Sequence, residues 1–193
     1  MRVVVLALLA CARLAAQDSL PAGYGTLRRD DIVVRLTTDQ LDSQILPLDE
    51  QVIRLLAPDT YRSLVDLQRT RQAAIDSLAL RVGVQRPTLV MVTFFGLVRE
   101  ARFSPEDLNI TSRGQLFRPV GIVPLSPRWN SYQLDAREQA VAFYLFDEGI
   151  STREDLTVSY QNVSSRSWSR SLRALDQERA RVLARVRAAT TPR

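Results

Sequence analysis

The sequence contains no histidine, no lysine and a single cysteine, Cys11. Each absence removes a chemistry. Without histidine there is no Ser-His-Asp triad and no imidazole metal site. One thiol builds neither a cysteine zinc site nor a disulfide framework. A Ser-Lys dyad is excluded too, and no G-x-S-x-G elbow, phosphate-cradling glycine loop or D-x-[DN]-x-[DN]-G calcium loop occurs. Beyond the first 16 residues no apolar run approaches the ~18 needed to span a bilayer. The chain is expected to use no cofactor and no metal, and to be non-catalytic.

What remains is ordinary in bulk. The 193 residues are 46% hydrophobic and 24% charged, which suits one domain with appendages and excludes a disordered or collagen-like chain. Residues 1–16 carry Arg2, an apolar run from Val3 to Ala12, and small residues at Ala15 and Ala16, the pattern of a secretory signal peptide. Cleavage after Ala16 would leave a mature chain without a thiol. Leu8-Leu9-Ala10-Cys11 also resembles a lipobox, in which Cys11 would be lipidated. Either route predicts an exported chain, periplasmic or associated with the cell envelope, with no transmembrane span. Pro21, Gly23 and Gly25 make residues 17–29 a flexible leader.

Charge is uneven. Residues 163–193 hold eight arginines against two acids, whereas residues 17–162 are slightly acidic. Arg170, Arg173 and Arg181 belong to this basic tail and are candidate contacts for an anionic surface. A solvated helix face written only in arginine is the blander account. Nucleic acid is not expected as a partner, since no recognition motif accompanies the charge.

Hydrophobic period divides the chain. Ile32, Val34 and Leu36 alternate in a first strand over 31–38. A helical insert over 49–82 follows: a short helix stopped by Pro58, then a long one over 59–81, with Asp59 as its N-cap and Gly83 at its end. Residues 88–98 and 139–146 are apolar on both alternating faces and require cover on two sides. Strands are also predicted over 107–111, 115–123, with Pro119 at an edge or bulge, and 155–160. Short strands joined by turns predict an antiparallel β-sandwich over 30–162. From 163 to 189 a long amphipathic C-terminal helix is predicted, with Trp168, Leu172, Leu175, Val182, Val186 and Ala189 in a stripe and Arg179 in its missing slot. That helix is expected to pack on the insert helix, covering the face of Val90, Val92 and Phe94.

Between Pro105 and Tyr160 the segments PEDLNITSRGQLFRP, AFYLFDEG and LTVSY resemble the immunoglobulin-like domains of exported bacterial proteins and lipoproteins. The resemblance covers about a third of the chain and implies a binding or spacer module with no catalytic residue. The fold class expected is therefore mainly β, an immunoglobulin-like sandwich with a helical insertion and a long C-terminal helix.

Candidate site residues are few. Arg128, Trp129 and Tyr132 lie on a proline loop and offer an aromatic contact to sugar or protein; the bland alternative folds Trp129 back over the sandwich. Adjacent acids such as Glu106-Asp107 and Glu154-Asp155 sit at element boundaries, where Asp and Glu serve turns and caps. A carboxylate-dependent hydrolase is the rival reading. The preferred one is an interaction or structural module of the cell envelope, whose partner is another envelope protein or an anionic envelope polymer.

Overall fold

A computed structural model describes residues 20–190; the expected signal segment 1–16 and Cys11 lie outside the described residues. Among the described residues no helix is long and apolar enough to cross a membrane.

The chain begins its sheet with a hairpin of β1 (Val34–Thr37) and β2 (Leu41–Pro47). The Thr38 hydroxyl closes the turn, accepting from the Leu41 amide at 3.0 Å. β2 next pairs with β3 (Thr88–Gly96), although a helical insertion separates them in sequence. That insertion holds α1 (Glu50–Ile53) and α2 (Pro58–Val82). The remaining strands are β4 (Ala101–Arg102), β5 (Leu108–Ser112), β6 (Gln115–Phe117), β7 (Pro119–Pro124), β8 (Gln133–Leu134), β9 (Gln139–Phe146), β10 (Leu156–Tyr160) and β11 (Val163–Ser165). The helix α3 (Trp168–Thr190) follows.

The strands form a five-stranded sheet in the order β1-β2-β3-β9-β7, a four-stranded sheet β11-β10-β5-β6, and a small pair β4-β8. Every pairing between these strands is antiparallel. The protein is thus mainly antiparallel β, with a helical insertion and a C-terminal helix.

Register assigns the two apolar faces of β3 and β9. Phe94 pairs with Ser43 and Ala140, and Val92 with Ile45 and Ala142. This face meets the four-stranded sheet, because the Phe94 ring lies 5.2 Å from Tyr160. The opposite face carries Met91, Phe143 and Leu145, all buried. Gly121 pairs with Leu145, and the Leu78 side chain of α2 rests on it; a Cβ at Gly121 would lie 2.6 Å from Leu78 Cδ2. Helix and second sheet therefore supply the two covers that the doubly apolar strands demand. Burying each large side chain contributes about 2 kcal/mol before entropy.

Several expectations need correction. Val90, Val92 and Phe94 face the second sheet and not a helix pair. Of the two long helices, α2 lies against β7 and α3 against β10. In α2, residues 69–74 are exposed all round and split the apolar stripe into Leu64 and Ile75-Ala79. Such a helix has no continuous ridge to offer a second one. α2 opens with Ala57 as N-cap and Pro58 in the first turn, so Asp59 sits beside the helix dipole instead of capping it. Gly83 takes a left-handed φ of 75° as the C-cap.

The strand expected over 115–123 divides at Arg118-Pro119. β6 pairs with β5 in one sheet and β7 with β9 in the other. Proline has no N–H to continue the first ladder, so the chain crosses between layers there. At the C-terminal boundary, β11 extends the four-stranded sheet past residue 162, and Ser164 and Ser165 are strand residues.

The described part of the expected leader makes contacts with the fold. Leu20 is buried, and the Leu27 amide donates to Leu55 O at 3.1 Å while Ala57 N donates to Leu27 O at 2.9 Å. Gly25 lies against the Leu55 carbonyl so closely that a Cβ would sit 2.2 Å from it. No side chain fits there without moving backbone, which explains a glycine that looked like a loop residue.

Candidate functional site

The site grows from a cluster of aromatic rings between the sheets. Phe94 stacks on Phe103 at 5.0 Å, and Trp129 stands 5.9 Å from Phe94 and 5.3 Å from Phe103. Tyr144 meets Trp129 edge-on at 5.8 Å. Such offset and edge geometries each add a fraction of a kcal/mol to about 1.5 beyond burial.

The cluster's hydroxyls hold the rim above it. Tyr144 donates to Pro105 O, and Tyr160 accepts from the Ser104 amide, both at 2.9 Å. Burial pushes both phenols above the ordinary tyrosine range, so they stay neutral. The short turn Pro105–Asp107 is thereby anchored to the floor, and the rim is preorganised.

Over this floor lies an open groove of about 1460 Å³. Ser104–Asp107 forms one bank and Arg118–Ile122 another; Asn109, Asn130, Tyr132 and the Gln161-Asn162 turn complete it. A second groove of about 520 Å³ runs from Thr37–Leu41 past Arg102. The two share Ser104, Gln161 and Asn162, so they adjoin along these residues. Their carboxylates are Glu106, Asp107 and Asp39, and their cations Arg118 and Arg102. Among the described residues no group of three or more His, Cys, Asp or Glu gathers as for a metal ion.

The expected site residues separate. Trp129, on the turn Pro127–Ser131, is only 3% exposed and belongs to the floor, so it is not a surface contact. Tyr132 is 54% exposed at the groove mouth, its ring 5.9 Å from Phe103. Arg128 is engaged by Glu138 at 2.6 Å. Arg170, Arg173 and Arg181 lie exposed on α3 and line neither groove. Arg181 faces Glu178 Oε2 at 3.5 Å.

Two features escaped the sequence. One is the set of carboxamides around the groove, from Asn109, Asn130, Gln161 and Asn162, which come from separate turns with no shared motif. The other is Glu178, fully buried in α3. It accepts from Thr26 N at 3.0 Å, Thr26 Oγ1 at 2.9 Å and Arg185 Nη1 at 2.9 Å, and so ties the C-terminal helix to the N-terminal segment. The apolar pattern had Arg179 in that slot; the real stripe runs through Trp168, Ser171, Leu175, Glu178 and Val182. No protein-family profile, curated protein or solved structure matches this chain.

Proposed function

We propose that the chain is an exported, non-catalytic binding module of the cell envelope, built on an immunoglobulin-like sandwich, whose partner lies in the groove above Tyr144 and Tyr160. The observation that carries this reading is the preorganised rim: buried phenols pin Ser104 and Pro105 at the edge of an open groove. Fixed polar groups around an apolar floor are the form of a recognition site. Two antiparallel sheets facing each other through Phe94 and Tyr160 support the sandwich assignment. Export is supported by the pattern of residues 1–16. The hydrolase reading needs two carboxyl groups facing each other across a cleft, and in the larger groove Glu106 and Asp107 are neighbours on one turn.

Cell fractionation with N-terminal sequencing tests the proposal. The processed protein is expected to sediment with envelope material. Asn130→Trp, which puts bulk into the groove from an exposed position, is expected to release it without lowering the melting temperature. An unprocessed chain in the cytosol, or equal sedimentation of both proteins, overturns it.

A second reading rests on α3. Arg170 and Arg173 are exposed, form no ion pair among the described residues, and share a helix face with Arg181. That face suits an anionic surface. Deleting the helix is no test, because Trp168, Leu175 and Val182 are core residues. Double reversal, Arg170→Glu with Arg173→Glu, is expected to abolish low-salt binding to vesicles containing phosphatidylglycerol. Unchanged binding removes this reading.

A further inference from the structure

We propose that the two adjoining grooves take a neutral glycan strand, with Tyr132 as its stacking platform; this rests on the reading of the groove as a binding site.

Tyr132 carries the argument. Its φ is 52°, a left-handed conformation that a bulky side chain adopts only at a cost. That backbone holds a large ring out at the groove mouth, 54% exposed, with Phe103 supporting it from inside at 5.9 Å. Gln161, which lines both grooves, also has a positive φ, 51°. An aromatic face is electron-rich and flat. It matches the C–H face of a sugar ring, and its conformational cost on binding is low.

The polar lining agrees. Asn109, Asn130, Gln161 and Asn162 in the larger groove, with Gln40 in the smaller, present carboxamides. Each carboxamide both donates and accepts, as does every sugar hydroxyl. Among the described residues the side chains of Asn130 and Asn162 have no hydrogen-bond partner. Charges are mixed: Arg118 and Arg102 stand against Glu106, Asp107 and Asp39. A polyanion or polycation would meet repulsion along part of the track.

Shape narrows the choice further. At about 1460 Å³ the larger groove exceeds the roughly 300–1,000 Å³ of a small-molecule pocket. A second groove that adjoins it along Ser104, Gln161 and Asn162 suits a chain. In the larger groove a peptide joining as an added strand would meet the edge of β7, where Pro119 and Pro124 stand at both ends of the strand.

Isothermal titration of the mature chain against maltotetraose, cellotetraose and chitotetraose tests the assignment. At least one is expected to bind at millimolar or lower concentration. Tyr132→Phe, which keeps the ring, is expected to retain that affinity. Tyr132→Gly removes the ring and accepts the same φ, so it is expected to lose affinity roughly tenfold or more, the scale of an aromatic anchor, with an unchanged or higher melting temperature. No binding by any of the three, or equal affinity in Tyr132→Gly, overturns the proposal. If glycans fail while Asn130→Trp still releases the protein from envelope material, the glycan assignment falls and the binding-module reading stands. If sedimentation is also insensitive to Asn130→Trp, both fall.

Discussion

Phe94→Ala is expected to destabilise the protein by about 3–5 kcal/mol, the range for truncating a fully buried phenylalanine. Phe94 is 0% exposed and touches Phe103, Trp129 and Tyr160. It joins the two sheets at the point where its cross-strand neighbours are small, Ser43 on β2 and Ala140 on β9. Neither neighbour has atoms to fill the vacated space. The surrounding rings are held by their own bonds, Tyr160 by the Ser104 amide and Trp129 by its turn, so collapse into the hole is resisted and the cavity cost is retained. Phe94→Leu keeps most of the volume and is expected to cost under about 1.5 kcal/mol. Urea denaturation of the two variants checks this. Equal midpoints would show that Phe94 is not the junction of the layers. The alanine variant is also expected to loosen the floor beneath Tyr132, because Phe103 lies between them.

How far the fold could be read in advance depends on where each residue gets its partner. β9 was legible because Gln139–Phe146 is apolar on both faces, and a central strand needs nothing else. β2 was not. Asp42, Ser43 and Gln44 interrupt its pattern, yet Ser43 is buried, since the space beside Phe94 admits only a small side chain. The division of 115–124 into strands of two sheets was visible as Pro119 but not as a change of layer, because partner choice is decided by β5 and β9, far away in sequence. The two-residue strands β4 and β8 carry no period at all. Of the site, Tyr132 was picked out by its exposed loop and aromatic character. Trp129 occupies the same loop, and only the packing of Phe94 and Phe103 distinguishes floor from mouth. Asn109, Asn130, Gln161 and Asn162 are ordinary turn residues until the sheets bring them to one groove.

Glu178→Gln is expected to lower stability by about 2–3 kcal/mol at neutral pH, and the loss is expected to vanish in acid. Removing one member of a buried charge pair costs about 3–5 kcal/mol. The lower figure applies here because the Arg185 side chain is 39% exposed and partly solvated, whereas Glu178 is fully buried. Burial by itself would raise the carboxyl pKa. The hydrogen bonds from Arg185 and Thr26 outweigh it and hold the group below the ordinary glutamate value of 4.5. A carboxylate depressed in the folded state stabilises the fold above its unfolded value. That contribution declines as pH falls below 4.5 and is gone once the folded-state carboxyl is protonated. All three bonds fall on Oε1, so glutamine can keep that acceptor, but as a neutral group it holds Thr26 and Arg185 more weakly, and its N–H₂ takes the place of Oε2 opposite Arg181. Thermal melts of both proteins across pH are therefore expected to show a gap at neutrality that closes in acid, the parent losing stability where the variant does not. Parallel curves at all pH values would refute the role of the charge. A structural corollary separates this from general loosening. The bonds from Thr26 pin the stretch after Gly23, so limited proteolysis of the variant is expected to cut first near Tyr24, which is already exposed, while the sheets stay protected.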